Sequence, residues 1–324
     1  MNAIQLTAFG DPTKVLRLAD IDVADRLHPA EVSIEMRFAP VNHNDLLLIR
    51  GTFPVRPELP AVAGNEGVGR VVDVGSNVDP ALIGTHVLAP LYGRTWAERI
   101  RAPAAGLVRV PDGDLQQLSM LRINPPTASL LLSEFAPLKA GDWVVQNAAN
   151  SAVGRAIIAF AKARGLRTIN LVRSASRIAD VKALGGDIVI EDNDEAVATL
   201  GAVLDGAPVP LAIDGVGGHS TARLATVATK NATLVSYAQM GGVEAPGDLR
   251  PLMRKGILLT SFYQAMPKYL PKISGILDES IRMVMDGTLS APIAAVYPAR
   301  EFAKAIEHTL AGGKVLLELS PGNW

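Results

Sequence analysis

Between Asp142 and Arg173 the chain reads DWVVQNAANSAVGRAIIAFAKARGLRTINLVR. Ala149, Ser151 and Gly154 stand at the three positions of a G-x-G-x-x-G phosphate-binding turn, so only the third glycine is kept. Alanine and serine are small enough to let a phosphate near the backbone, and Gly154 lets a helix approach a strand closely. That spacing alone fits an ordinary βαβ unit at least as well as a ligand site. Nineteen residues past Gly154, where a carboxylate would meet a ribose 2′-hydroxyl, stands Arg173, with Ser174, Ser176 and Arg177 after it. A guanidinium flanked by hydroxyls suits a 2′-phosphate, which a carboxylate would repel. The pattern predicts NADPH in preference to NADH.

The elements that hold these residues are legible around them. Trp143-Val144-Val145 is a short apolar run bounded by Gly141-Asp142 and reads as a buried strand. Ala156 to Arg164 are good helix formers stopped at Gly165, and Thr168 to Val172 form a second strand. Strand, tight turn, helix and strand make one right-handed βαβ unit that opens at the helix N-terminus. The alternation continues with strands at Asp187 to Ile190, Leu211 to Asp214, Thr233 to Tyr237 and Leu258 to Tyr263. Helices are expected at Ala128 to Phe135, Asp194 to Leu204 and His219 to Ala228. Six strands with intervening helices predict an α/β fold, a Rossmann doubly wound parallel sheet.

The rest of the chain is of another kind. Up to about residue 118 it is strand-rich and punctuated by turns such as Asp11-Pro12, Gly75-Ser76-Asn77 and Asp112-Gly113. Strands are expected at Ile4 to Phe9, Glu31 to Met36, Val68 to Val74 and Gly84 to Pro90, and one short helix at Asn44 to Gly51. A partly open β-barrel-like domain follows from this. The tail carries helices at Ile273 to Met285 and Glu301 to Leu310, and strands at Pro292 to Tyr297 and Lys314 to Leu319. It is expected to return and complete the first domain, leaving a cofactor cleft between two lobes.

Composition narrows the function class. Lys and Arg number 31 against 32 Asp and Glu, so no basic field points to nucleic acid. No apolar run approaches the length that spans a bilayer, and the first residues lack the plan of a signal peptide, so the expectation is a cytoplasmic protein with no membrane partner. The chain has no cysteine, which excludes disulfides, thiolate zinc sites and cysteine nucleophiles.

Several motifs resemble the medium-chain dehydrogenase/reductase superfamily over essentially the whole length: Asn42-His43-Asn44-Asp45 with Gly51, Gly64-Asn65-Glu66-Gly67-Val68, Val74-Gly75-Ser76-Asn77-Val78, Asn124-Pro125 and Gly313-Lys314-Val315-Leu316. Within it the chain is most similar to the zinc-free 2-enoyl thioester reductases, through Pro57 to Val62, Gln146 to Ser151 with Val153-Gly154, Leu166 to Asn170 with Val172-Arg173, and Val216-Gly217-Gly218. Quinone oxidoreductases of the superfamily are next nearest. The resemblance implies a GroES-like catalytic domain at 1–119 with 266–324, and an NADPH-binding Rossmann domain at 120–265. The zinc members have a histidine where this chain has Asn65; with no cysteine either, no metal is expected. His43 and His86 are read as packed or hydrogen-bonded, and His28, His219 and His308 as surface residues.

The resemblance also implies site residues. Asn42, Thr127, Asn147, Asn150, Ser151, Ala152, Val153, Arg173, Arg177, Asp214, Tyr237, Met240, Phe262 and Lys314 fall at cofactor positions, and Phe53, Asn65, Tyr92 and Tyr263 at the substrate pocket. The family's tyrosine, the proton donor to the substrate α-carbon, falls at Phe53, which has no hydroxyl. Tyr92 and Tyr263 are the replacement candidates, though the simpler reading of both is as aromatic walls of the pocket, with solvent as the alternative proton source. Arg50, Arg56 and Arg94 are candidates for coenzyme A phosphates. The expected function is zinc-independent, NADPH-dependent reduction of an activated C=C bond in an enoyl thioester, enone or enal. The alternatives are an NADPH:quinone oxidoreductase and an NADPH-binding protein without catalysis. The family implies a homodimer.

Overall fold

The computed structural model describes residues 1–22, 26–241, 248 and 250–324. It divides into two units, Met1–Ile123 with Leu277–Trp324, and Asn124–Ile276.

The second unit is built on six parallel strands in the order Ile188–Glu191, Arg167–Val172, Trp143–Gln146, Leu211–Asp214, Thr233–Ser236, Leu258–Ser261. All four residues of Trp143–Gln146 and of Leu211–Asp214 are buried, as strands covered on both faces must be. The order reverses between those two strands, so the crevice beyond their carboxyl ends is the place such sheets bind a ligand. Helix Ala152–Ala163 starts there. It buries Ala156, Ile157, Phe160 and Ala161, and its N-terminus is capped by Ser151, whose Oγ accepts the Gly154 N–H at 3.1 Å. A Cβ on Gly154 would lie 2.6 Å from Ala148 O, so only glycine lets helix and turn meet this closely. Helix Asn124–Glu134 begins four residues earlier than the sequence suggests: Pro125 and Pro126 sit in its first turn, where the missing N–H groups have no helical partner to lose.

In the first unit the spine is the eleven-residue strand Glu31–Val41, whose early residues alternate between buried and partly exposed. It pairs antiparallel with Val68–Val74, Arg99–Pro103 and Lys314–Glu318, and the last pairs in parallel with Ile293–Pro298. The tail therefore supplies two strands of the same seven-stranded sheet. A second sheet joins Leu16–Asp20, Asn2–Leu6 and Ala61–Val62. Ile4, Leu6, Ile34, Met36, Trp96, Val315 and Leu317 form part of their shared core.

Some elements differ from the sequence expectation. Leu16–Asp20, Arg99–Pro103, Val108–Val110 and the short helices Leu115–Leu118, Ile178–Ala183 and Arg250–Lys255 have too few residues to carry a period. The tail helix is Leu270–Met285, and the division between units falls inside it. Residues 266–276, placed by sequence with the barrel, belong with the parallel sheet: Tyr269 is buried 5.3 Å from the Phe262 ring, and Lys272 Nζ bonds Glu134 at 2.6 Å.

Candidate active site

In the second unit the turn 147–151 follows strand Trp143–Gln146 at the reversal point. Ala148 adopts φ 47°, and Ser151 and Asn150 are half-buried at the mouth of the helix. The Ser151 oxygen lone pairs serve the cap, which leaves its O–H as a donor. Ala152 and Val153 follow as half-buried first-turn residues. Beyond the next strand, Arg173 is exposed and has no hydrogen-bond or ion-pair partner among the described residues. Ser174 and Ser176 bond each other beside it at 3.0 Å, and Arg177 pairs with Asp180 at 3.6 Å.

Asn147 and Asp214, read from sequence as cofactor contacts, have their side chains committed to the protein. Asn147 Nδ2 donates to Asp214 Oδ1 at 2.7 Å and to Ser220 Oγ at 2.8 Å, and its Oδ1 accepts the Gly215 N–H at 2.7 Å. Asp214 Oδ1 also accepts the Val216 and Gly217 N–H groups, and Oδ2 accepts the Thr221 hydroxyl. Four donors on one buried carboxylate fix the shape of the loop 214–218, so these residues act on a ligand through that loop. Phe262 differs similarly: its ring is buried against Phe135 and Tyr269. Thr127 is buried and donates to Gln264 Oε1 at 3.3 Å. Met240 is exposed and its N–H is held by Gly215 O at 3.0 Å.

Tyr237 packs so closely on Gly215 that a Cβ there would meet its hydroxyl at 2.4 Å. That hydroxyl is sealed from solvent beside the Ser151 side chain, and burial pushes its pKa well above the usual phenol value. A small-residue turn capped by Ser151 and a guanidinium, Arg173, unclaimed among the described residues at the ribose end of the crevice together fit a dinucleotide bearing a 2′-phosphate.

The first unit holds a different cluster. The register that sets Val315 opposite Val41 brings Lys314 beside Asn42. Lys314 Nζ donates to Asn42 Oδ1, and Asn42 Nδ2 donates to Glu66 Oε1 at 2.8 Å. The other Glu66 oxygen accepts the Arg122 and Ile123 N–H groups at 2.9 and 3.0 Å. Asn42 also begins helix His43–Arg50, where Asp45 Oδ2 accepts the Asn42 N–H at 2.7 Å. Two fully buried carboxylates thus share one ammonium. Burial pushes Asp45 and Glu66 up to about 7 and pushes Lys314 below the usual lysine value. Asn65 Nδ2 is buried with no hydrogen-bond partner among the described residues. Gly64 before it has φ 96°, and a Cβ there would lie 2.3 Å from Trp96. Phe53 is half-buried, and the Tyr92 ring meets it edge-on at 5.9 Å. Tyr92 holds φ 60° and its N–H is bound by Asn65 O at 2.8 Å. Tyr263, in the other unit, is half-buried.

Residues 28–112 match the alcohol dehydrogenase GroES-like domain family, and residues 152–279 match the zinc-binding dehydrogenase family. The mitochondrial enoyl-(acyl-carrier-protein) reductase of Homo sapiens is 34% identical over 314 residues, covering 93% of this chain and 83% of the relative. The chain belongs to the medium-chain dehydrogenase/reductase superfamily, in its zinc-free enoyl and quinone reductase branch. Two solved structures share the fold. One, from Bacillus thuringiensis, is described as a candidate NADPH:quinone reductase (27% identity, TM-score 0.87, 98% of each chain). The other is a mycobacterial protein in complex with NADPH (26% identity, TM-score 0.84, 98% of this chain and 100% of that one).

Asn65, where the zinc members have a histidine, is an amide, and among the described residues no three His, Cys, Asp or Glu side chains are grouped to hold a metal. His43 is the first residue of its helix and burial lowers its pKa; His86 meets Asp112 at 3.3 Å. His308, expected at the surface, is half-buried and bonds the Tyr297 hydroxyl at 3.1 Å. The sequence reading quoted Asp45 and Glu66 without a role. An Asn followed three residues later by a carboxylate at a helix start is the signal that could have found Asp45. Ser220 and Thr221, which bind the Asn147–Asp214 pair, gave no signal.

Proposed function

We propose that this protein reduces activated carbon–carbon double bonds with NADPH, without zinc, taking an enoyl thioester, enone or enal. One observation carries the cofactor choice: Arg173 stands exposed, with no partner among the described residues, at the strand end where the ribose 2′ oxygen belongs. The reaction comes from the relatives, of which the human one is named as an enoyl-(acyl-carrier-protein) reductase. When bound, NADPH supplies a hydride. The chain's own residues do the rest. Arg173, with Ser174 and Ser176, takes the 2′-phosphate; Ser151 and the small turn leave room for the pyrophosphate at the helix N-terminus. Asn65 Nδ2, buried and without partner among the described residues, is a preorganised donor for a carbonyl oxygen on which negative charge grows. Lys314 and Glu66 lock the Asn42 amide from both ends. Phe53 cannot give a proton, but Tyr92 packs edge-on against it, and we assign proton donation to Tyr92 Oη ahead of Tyr263.

The test is oxidation of NADPH and NADH by purified protein with crotonyl-coenzyme A. Turnover with NADPH is expected, and Arg173→Gln should raise KM for NADPH roughly 10- to 100-fold while leaving NADH unchanged. Equal effects on both cofactors would remove the 2′-phosphate assignment. A second reading, quinone reduction, is favoured by Phe53 itself, since a quinone needs no donor at that position, and by the Bacillus thuringiensis neighbour. Turnover of a 1,4-quinone but of no enone or thioester would put it first; NADPH binding with no acceptor reduced would leave a binding protein.

A homodimer belongs to the same proposal. It is supported by strand Leu258–Ser261, which among the described residues ends its sheet with one side unpaired and leaves Leu258 and Leu259 62% and 48% exposed. Two copies paired edge to edge would cover them.

A further inference from the structure

We propose that Arg155 is a second guanidinium for the 2′-phosphate of NADPH and shares with Arg173 the discrimination against NADH. Arg155 lies in the first turn of helix Ala152–Ala163, where a cation opposes the helix dipole. It is half-buried there, and burial pulls its pKa below the usual guanidinium value. Its Nε donates to Asn150 O at 3.3 Å, which draws the side chain back toward the turn 147–151. Its charged neighbours are Arg177, which repels it, and Asp180. That carboxylate is already paired with Arg177 at 3.6 Å, and Arg155 has no ion pair of its own among the described residues. Arg155 and Arg177 thus have one carboxylate, Asp180, between them, and Arg173, without a partner among the described residues, directly follows strand Arg167–Val172 in the same segment as Arg177.

A cation surplus assembled against a helix dipole calls for an anion. The 2′-phosphate is a monoester carrying about −1.5 to −2 charges at neutral pH, as other phosphate monoesters do. Arg177 and Asp180 belong to the segment after the second strand, where the ribose that bears it is held, so the monoester is preferred to the pyrophosphate. This assignment rests on NADPH being the cofactor.

The test is calorimetric binding of 2′,5′-ADP and of 5′-ADP to the full chain, comparing the parent with Arg155→Gln and Arg155→Lys. The expected result is a roughly 10- to 100-fold loss of 2′,5′-ADP affinity in Arg155→Gln, with 5′-ADP unchanged and partial recovery in Arg155→Lys. Equal weakening of both ligands would move Arg155 to the pyrophosphate and overturn the proposal. So would an unchanged 2′,5′-ADP affinity in a variant that unfolds at the parent temperature; in that case parent discrimination between the ligands leaves NADPH standing. A parent that favours neither ligand overturns both.

Discussion

Gly154→Ala is the most local probe of the turn that opens the cofactor site. The added Cβ would meet Ala148 O at 2.6 Å and the Ala149 Cα and O at 2.7 Å. All three are backbone atoms of the turn, so none can swing aside as a side chain could. Overpacking of this kind costs about 1–3 kcal/mol, and three backbone contacts argue for the upper end. The helix preference for alanine over glycine returns up to about 1 kcal/mol. A net loss near 2 kcal/mol lowers Tm by roughly 4–8 °C in a unit of this size. The shift must reach the first turn of the helix, so NADPH binding weakens as well. Gly201→Ala is the paired control: it lies in helix Asp194–Leu204 with nothing within 4 Å of its Cβ. There the same substitution should stabilise by about 0.5–1 kcal/mol and leave NADPH affinity alone. Differential scanning calorimetry with and without NADPH reads both. If Gly154→Ala raises Tm as Gly201→Ala does and binds NADPH normally, the close approach is not what the turn requires.

Tyr92→Phe should lower kcat for thioester reduction by roughly 100-fold or more while leaving quinone reduction intact. An unchanged kcat would pass the donor role to Tyr263 or water. Stability should depend on pH through the buried carboxylates. Asp45 and Glu66 are raised to about 7 from 3.8 and 4.5 by burial, so between about 4 and 7 the folded state holds more protons than the unfolded one. Stability is therefore greatest below that window and falls as pH rises through it. Asp45→Asn should flatten the fall in urea midpoints measured across about pH 4 to 8, and a midpoint that instead climbs with pH would reverse the sign. Leu259→Lys places a charge on the open sheet edge and should convert a dimer to a monomer in light scattering; a dimer that survives it is joined elsewhere.

The parallel sheet was legible because its strands are continuous apolar runs separated by amphipathic helices, among them the helix expected around Asp194 to Leu204. Arg173 was legible because its position is fixed relative to Gly154. The strand-rich unit was less so: Leu16–Asp20 and Arg99–Pro103 are set by pairing with Asn2–Leu6 and Glu31–Val41, partners that no local window contains. The same distance hid the carboxylate network. Asn42, Glu66 and Lys314 are brought together by strand register across 272 residues of chain, and only then does the burial that shifts their ionisation exist. Asn147 and Asp214 show the converse. Sequence placed them at the right strand ends, but that Asn147 and Asp214 bond each other rather than a ligand depends on Ser220, Thr221 and the loop between.

The most direct measurement follows the hydride itself. Crotonyl-coenzyme A is incubated with the protein and NADPH deuterated at the transferred position of C4, and the product is read by mass spectrometry. Butyryl-coenzyme A carrying a single deuterium at the β-carbon is expected. Deuterium at the α-carbon, or no saturated thioester while a quinone is rapidly reduced, would contradict the assignment.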